Sequence, residues 1–132
     1  MLGEMIGELK GKITGNRVLS VECCPKIELS FKEMGKILDE DVTAMGTFWA
    51  ILKEEGKLYG EGQGVITTKN GEIVTWTGQG IGKMKGKGAE WRASIFFNTS
   101  SQKLARLNNI IGVVEYEIDE DENTQEKLWE WI

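Results

Sequence analysis

Glu61, Gln63 and Gln79 are the side chains in this sequence whose types and spacing could do acid–base work together. Glu61 and Gln63 stand two residues apart, so an extended strand puts both on one face. Gln79 falls diagonally across from Gln63 if the chain doubles back near residue 70. Were that face to point inward, Glu61 would be an acid or base flanked by two amides. The alternating residues on the opposite face are more apolar throughout, so the expected orientation of Glu61, Gln63 and Gln79 is outward. The chain has no histidine, which removes the side chain most used for proton transfer near neutral pH and the commonest metal ligand. Catalysis, if there is any, must rest on Glu, Asp, Lys, Tyr or Cys.

The remaining chemical signals are weak. Asp119, Asp121, Asn123 and Glu130 match positions 1, 3, 5 and 12 of a calcium loop, but position 6 is Thr124 where a sharp turn needs glycine. The flanks read as strands, so an acidic hairpin turn is expected and no metal site. Lys83, Lys85, Lys87 and Arg92 form a local basic cluster that could hold a carboxylate or phosphate; a solvated strand end explains it as well. Gly78-x-Gly80-x-Gly82 has the wrong spacing for a dinucleotide fingerprint and no helix follows it. No cofactor is implied. Cys23 and Cys24 are adjacent; in a strand they would point to opposite faces, so they read as small hydrophobes and not as a disulfide.

The element that would position any such group is a long β-hairpin from Leu58 to Lys85, turning at Lys69-Asn70-Gly71. A three-residue loop sets Ile66 against Val74, Gly64 against Trp76, Gly62 against Gly78, and Gly60 against Gly80. One face then carries Leu58, Gly60, Gly62, Gly64, Ile66, Val74, Trp76, Gly78, Gly80 and Gly82. Glycine normally weakens a strand. A stripe of it on one face fits sharp curvature, with aromatic rings lying over the gaps.

The rest of the chain alternates in the same way. Strands are expected at Met5–Ile13, Arg17–Cys23 after a Gly15-Asn16 turn, Lys26–Phe31, Val42–Lys53, Ala89–Thr99, Ile110–Ile118 and Thr124–Ile132. Glu33 to Asp41 fits either an extended segment or a short helical turn. Ser100 to Asn108 reads as one short helix plugging a barrel mouth. A two-residue loop after Lys53 would stand Trp49 across from Gly62; a shift of one residue would substitute Phe48. The expected fold is all-β, a single antiparallel up-and-down barrel of eight or nine strands with one short helix, residues 1–132 forming one domain. A β-sandwich is the alternative.

Composition narrows the partners. With 132 residues, 40% hydrophobic, 28% charged and a net charge of −5, the chain is globular and a nucleic-acid partner is not expected. No apolar run is long enough to span a membrane, and the N-terminus lacks a signal-peptide pattern, so a cytoplasmic location is expected. Val65, Ile73, Ile81, Phe96, Ile111 and Val113 fall on the outer face, and as a contiguous apolar set they point to a homo-oligomer, a dimer first.

Gly60-Glu61-Gly62-Gln63-Gly64, Trp76-Thr77-Gly78-Gln79-Gly80-Ile81-Gly82, Leu104-Ala105-Arg106-Leu107-Asn108, Glu115-Tyr116-Glu117-Ile118-Asp119 and Trp129-Glu130-Trp131 together resemble a family of small uncharacterised prokaryotic β-barrel proteins. These are similar in shape to calycin and allene-oxide-cyclase-like barrels. The resemblance spans about residues 45–132. It implies a barrel with an apolar cavity, and it implies no established activity and no catalytic residue.

The leading functional expectation is a barrel that binds a small apolar ligand between Trp49, Trp76, Trp91 and Tyr116, with Gly62 and Gly78 opening the wall. A barrel filled by its own side chains, acting as a structural or interaction module, ranks second. An isomerase or cyclase using Glu61 or Tyr116 ranks third.

Overall fold

The computed structural model describes residues 1–132. Its central hairpin pairs as the three-residue loop requires: Ile66 with Val74, Gly64 with Trp76, Gly62 with Gly78, Gly60 with Gly80. Within the turn only Gly71 takes a positive φ, 86°, and its N–H donates to the Thr68 carbonyl at 2.9 Å. That is the turn-plus-left-handed-glycine geometry of a three-residue hairpin, and not the two-residue Asn-Gly form.

Eight antiparallel strands follow one another around a closed barrel: β1 (Leu2–Ser20), β2 (Lys26–Ile37), β3 (Glu40–Leu52), β4 (Lys57–Thr68), β5 (Ile73–Lys85), β6 (Gly88–Thr99), β7 (Ile111–Ile118) and β8 (Asn123–Trp131). β8 closes onto β1. No helix of the chain is long and apolar enough to cross a membrane.

Three expectations are corrected and one open alternative is decided. Gly15-Asn16 is not a turn but a register shift inside one continuous β1, between Ile13 and Gly15, so two expected strands are one. Glu33 to Asp41 is not helical: β2 runs on to Ile37 and reverses at Leu38 and Asp39, with φ of 48° and 64°. That two-residue turn has the left-handed backbone of a hairpin without the glycine that usually signals it. Cys23 and Cys24 lie in the β1–β2 loop and not in a strand, with their Sγ atoms 2.8 Å apart. The short helix is a 3-10 turn over Ala105–Asn109.

That 3-10 turn does plug a mouth. Leu104 and Leu107 have no exposed surface. Its polar groups are satisfied locally, as burial demands: the Thr99 N–H donates to Asn108 Oδ1 at 2.8 Å, Asn108 Nδ2 returns a bond to the Thr99 carbonyl at 2.9 Å, and Ser101 Oγ accepts from the Leu104 N–H at 3.3 Å. Arg106 reaches from the plug to Glu4 and Glu130 on the strands flanking the closure.

Inside, the glycines are covered by rings. Phe31, Phe48, Trp76, Trp91 and Tyr116 make one cluster with centroid separations of 5.7–6.3 Å. A Cβ at Gly64 would lie 2.5 Å from Trp76 Nε1, and one at Gly46 would lie 2.7 Å from the Phe31 ring.

Outside, Val65, Ile73, Ile81, Phe96 and Ile111 are exposed and Val113 is half-buried; the first four are interrupted by polar partners, Val65 pairing with Thr75, Ile73 with Thr67, Ile81 with Arg92 and Phe96 with Thr77. The contiguous apolar surface lies on β7, β8 and β1, where Ile111 pairs with Trp131, Trp131 with Leu2, Val113 with Trp129 and Trp129 with Met5. β1 also overhangs: β8 leaves it at Lys12, whereas β2 stays paired to Ser20. Thr14 to Ser20 therefore has a strand on one side only.

The glycine contacts give a direct test. Gly64→Ala is expected to lower unfolding free energy by about 1–3 kcal/mol through overpacking. Gly15→Ala has no atom within 4 Å of the added Cβ and no positive φ, so it should be neutral or gain a few tenths of a kcal/mol, roughly, by restricting the unfolded chain. Urea melts of both variants decide it; equal losses at the two positions would contradict the ring-over-glycine account.

Candidate functional site

The interior holds two carboxyls. Glu33 on β2 and Thr124 on β8 both pair with Gly11 of β1, on its two sides. Gly11 has no side chain to separate them; a Cβ there would sit 2.8 Å from Glu33 Cγ. Across that gap Thr124 Oγ1 donates to Glu33 Oε2 at 2.6 Å. Glu126, two residues along β8 from Thr124, pairs with Tyr116 of β7 and faces inward with it. The two carboxyls interact directly. Glu33 is 4% exposed and Tyr116 7%. Glu126 borders the interior cavity and is half-buried.

No lysine or arginine acts on either acid, so burial decides their titration. Desolvation pushes Glu33 up to about 7, against the lowering pull of the Thr124 and Glu126 contacts. Glu126 is raised well above the ordinary carboxyl range, first by burial and then by the adjacent Glu33. Two close carboxyls of this kind hold a proton between them. Glu33 Oε1 has no hydrogen-bond donor while both acids are ionised; a proton shared with Glu126 supplies one. The Tyr116 phenol is raised by burial and by the negative charge of Glu33 and Glu126, against the lowering pull of the nearby Thr124 hydroxyl, so it stays protonated at neutral pH. Its hydroxyl is buried with no hydrogen-bond partner.

With Glu33 standing behind them, Tyr116 and Glu126 border an apolar cavity of about 70 Å³. Its walls are Phe31, Phe48, Trp76, Trp91, Ile95 and Val114, with the glycine strands β4 and β5 alongside. The volume is about that of two water molecules.

Of the residues expected from sequence to surround a ligand, Trp76, Trp91, Tyr116, Gly62 and Gly78 all border this cavity. Trp49 does not. The β3–β4 connection is longer than two residues and contains a 3-10 turn over Glu54–Gly56. Phe48 therefore stands across from Gly62 and Trp49 across from Glu61. The one-residue shift turns Trp49 to the outer face, where it packs edge-on against Tyr59 at 5.8 Å with Lys26 Nζ 4.3 Å above the ring. The alternative polar trio also lies outward. Glu61 pairs with Gln79 and Gln63 with Thr77. Tyr59 Oη donates to Glu61 Oε2 at 2.8 Å and lies 3.2 Å from Gln79 Oε1. Asp119 spends its carboxylate on the β7–β8 turn, accepting from the N–H groups of Asp121 and Asn123 at 2.9 Å.

Glu33 and Glu126 escaped the sequence reading, though a signal for Glu33 existed. Ile27, Leu29 and Phe31 set an inward phase, and the same phase carried two residues further lands on Glu33. On β8 the two tryptophans drew the eye, but the inward phase is Thr124, Glu126 and Leu128.

No family model matches the chain, and no curated protein matches its sequence. Solved structures do match its fold. A conserved protein of unknown function from Rhodopseudomonas palustris superposes with a TM-score of 0.80 at 12% identity, covering 98% of this chain and 97% of that one. A β-barrel-like protein from Acinetobacter baumannii gives 0.82 at 12% identity, covering 98% and 94%. An enzyme from Penicillium herquei gives 0.65 at 15% identity, covering 96% of each chain. At these identities the likeness is one of fold.

The raised carboxyl has a measurable consequence. Because folding lifts Glu33 from an ordinary 4.5 to about 7, the folded state is favoured most below pH 4.5 and loses that advantage as pH rises through 7. Summed over the window, the loss is about 3 kcal/mol. Denaturant melts should show stability falling between pH 5 and pH 8, with Glu33→Gln flattening the fall and the variant more stable than the parent at pH 8. Parallel pH profiles for the two proteins would exclude Glu33 as the titrating group.

Proposed function

We propose that this barrel binds a small, uncharged, largely apolar molecule in its interior, with the one polar group of that molecule held against Tyr116 and Glu126. The observation that carries the reading is the Tyr116 hydroxyl, buried without a partner on the border of an apolar cavity. An unpaired buried hydroxyl costs about 1–3 kcal/mol, and a phenylalanine would fill the same space without that loss. Two desolvated acids beside it add a further destabilisation that a purely structural core does not require. The aromatic walls suit an apolar body, and Gly62 and Gly78 let it approach the backbone. A solved structure of similar fold is an enzyme from Penicillium herquei.

The size of the cavity favours a second reading. At about 70 Å³ it is well below the roughly 300 Å³ at which ordinary ligand pockets begin, as a barrel filled by its own side chains would be. A ligand of more than a few heavy atoms must displace Phe48 or Trp76, both only half-buried.

Cyclopentanone and phenol are suitable probes. Saturation-transfer NMR should show both binding, and Tyr116→Phe should weaken binding at least fivefold while leaving the protein no less stable than the parent. Absence of saturation transfer to either probe would leave the self-filled barrel standing.

A further inference from the structure

We propose that the interior carboxyl pair is a proton-transfer site for a small ketone or aldehyde, with Glu126 exchanging a proton with the carbon next to the carbonyl, Tyr116 holding the carbonyl oxygen, and Glu33 positioning Glu126. The inference rests on the binding reading above and names the substrate class and the chemistry of that site.

Three observations on the geometry converge. Tyr116 and Glu126 stand directly opposite each other on β7 and β8, and both border the cavity. A donor with no acceptor thus stands beside a carboxyl on one wall of the barrel, the pair that enolisation needs: one group for the oxygen and one for the adjacent C–H. Glu33 lies behind, off the cavity wall, and is itself fixed by the Thr124 hydroxyl at 2.6 Å. Strand β1 contributes Leu9 and Gly11 at this level, and β3 contributes Ala44 opposite Glu33, so no charge from the flanking strands faces the pair.

The same surroundings select the substrate. Two acids with no cation repel carboxylates and phosphates, and an ammonium ion would leave the Tyr116 proton without an acceptor. A neutral carbonyl compound satisfies Tyr116 and leaves its hydrocarbon part to the rings of Phe48, Trp76 and Trp91.

The step balances without a co-reactant. The carbonyl oxygen accepts a hydrogen bond from Tyr116 Oη. The C–H bond beside the carbonyl breaks, its proton passes to the carboxylate of Glu126, and its electron pair forms the carbon–carbon double bond of the enolate while the carbonyl π pair moves to oxygen. The proton that Glu126 shared beforehand passes to Glu33, so the pair goes from one proton to two. Return to the same carbon gives exchange with solvent; return to the far end of a conjugated system moves a double bond. Burial raises the Glu126 carboxyl well above the ordinary range, which makes it a stronger base than an exposed carboxylate.

The test follows α-hydrogen exchange of cyclopentanone in buffered D2O by proton NMR, with saturation transfer recorded on the same samples. The parent protein should exceed buffer by at least tenfold near neutral pD. Glu126→Gln should fall to the buffer rate while keeping the circular dichroism of the parent, and Tyr116→Phe should lose at least tenfold. Glu33→Gln should keep exchanging, with the midpoint of its pH profile moved at least one unit to the acid side, as expected of a residue acting through Glu126. Glu117→Gln, on the outer face, should match the parent. Binding without exchange, or exchange that survives in folded Glu126→Gln, overturns the proton-transfer role alone. No binding overturns the binding reading and this inference together.

Discussion

Everything inside this barrel depends on rings lying directly against backbone. Gly46, Gly60, Gly62 and Gly64 leave the inner surface of β3 and β4 bare, and Phe31, Phe48, Trp76 and Trp91 occupy the space that side chains there would have taken. A small barrel has little interior, and eight strands enclose only enough room for one layer of packed side chains. By concentrating bulk in a few aromatics and removing it from the facing strands, the sequence obtains a filled core with strong curvature on one side. The arrangement is asymmetric: the glycines of β4 and β5 supply the floor, and β2, β3, β5, β6 and β7 each supply one ring.

The same device builds the polar site on the opposite wall. Gly11 is to Glu33 and Thr124 what Gly64 is to Trp76: a missing side chain through which two neighbours reach each other. The contrast lies in energy. Ring against glycine stabilises by burying apolar area, whereas two acids and a phenol in the same interior are held there against their own hydration. Such a group is tolerated because the surrounding core is rigid enough to impose it, which is the usual relation between strained or desolvated sites and the scaffolds that carry them.

Much of the fold was legible because its signals are local. The Asn70-Gly71 turn and the period-2 glycine stripe determine the β4–β5 register to the residue, and the closed all-β architecture follows from the count of alternating runs. What was not legible depended on the turns. Leu38-Asp39 reverses the chain without glycine or asparagine, so β2 was cut short at Phe31 and Glu33 was never assigned a face. The β3–β4 connection is one residue longer in effect than a tight hairpin, and that parity alone sends Trp49 outward and Phe48 inward. Trp129 and Trp131 face out, because Leu128 and Thr124 hold the inward phase. In each case side-chain character was a weaker guide than strand phase, and phase is set by turn length.

The overhang of β1 has a consequence of a different kind. A cylinder of strands normally has no free rim, yet from Thr14 to Ser20 one row of peptide groups looks toward no neighbour. Val18 and Leu19 are exposed there, so little burial opposes the loss of that segment. Fraying can therefore start at this flap and travel along β1 only as far as Lys12, where β8 takes hold and the interior contacts of Gly11 and Leu9 begin. The seam that holds the acid pair is thus the point at which local opening of the sheet is stopped.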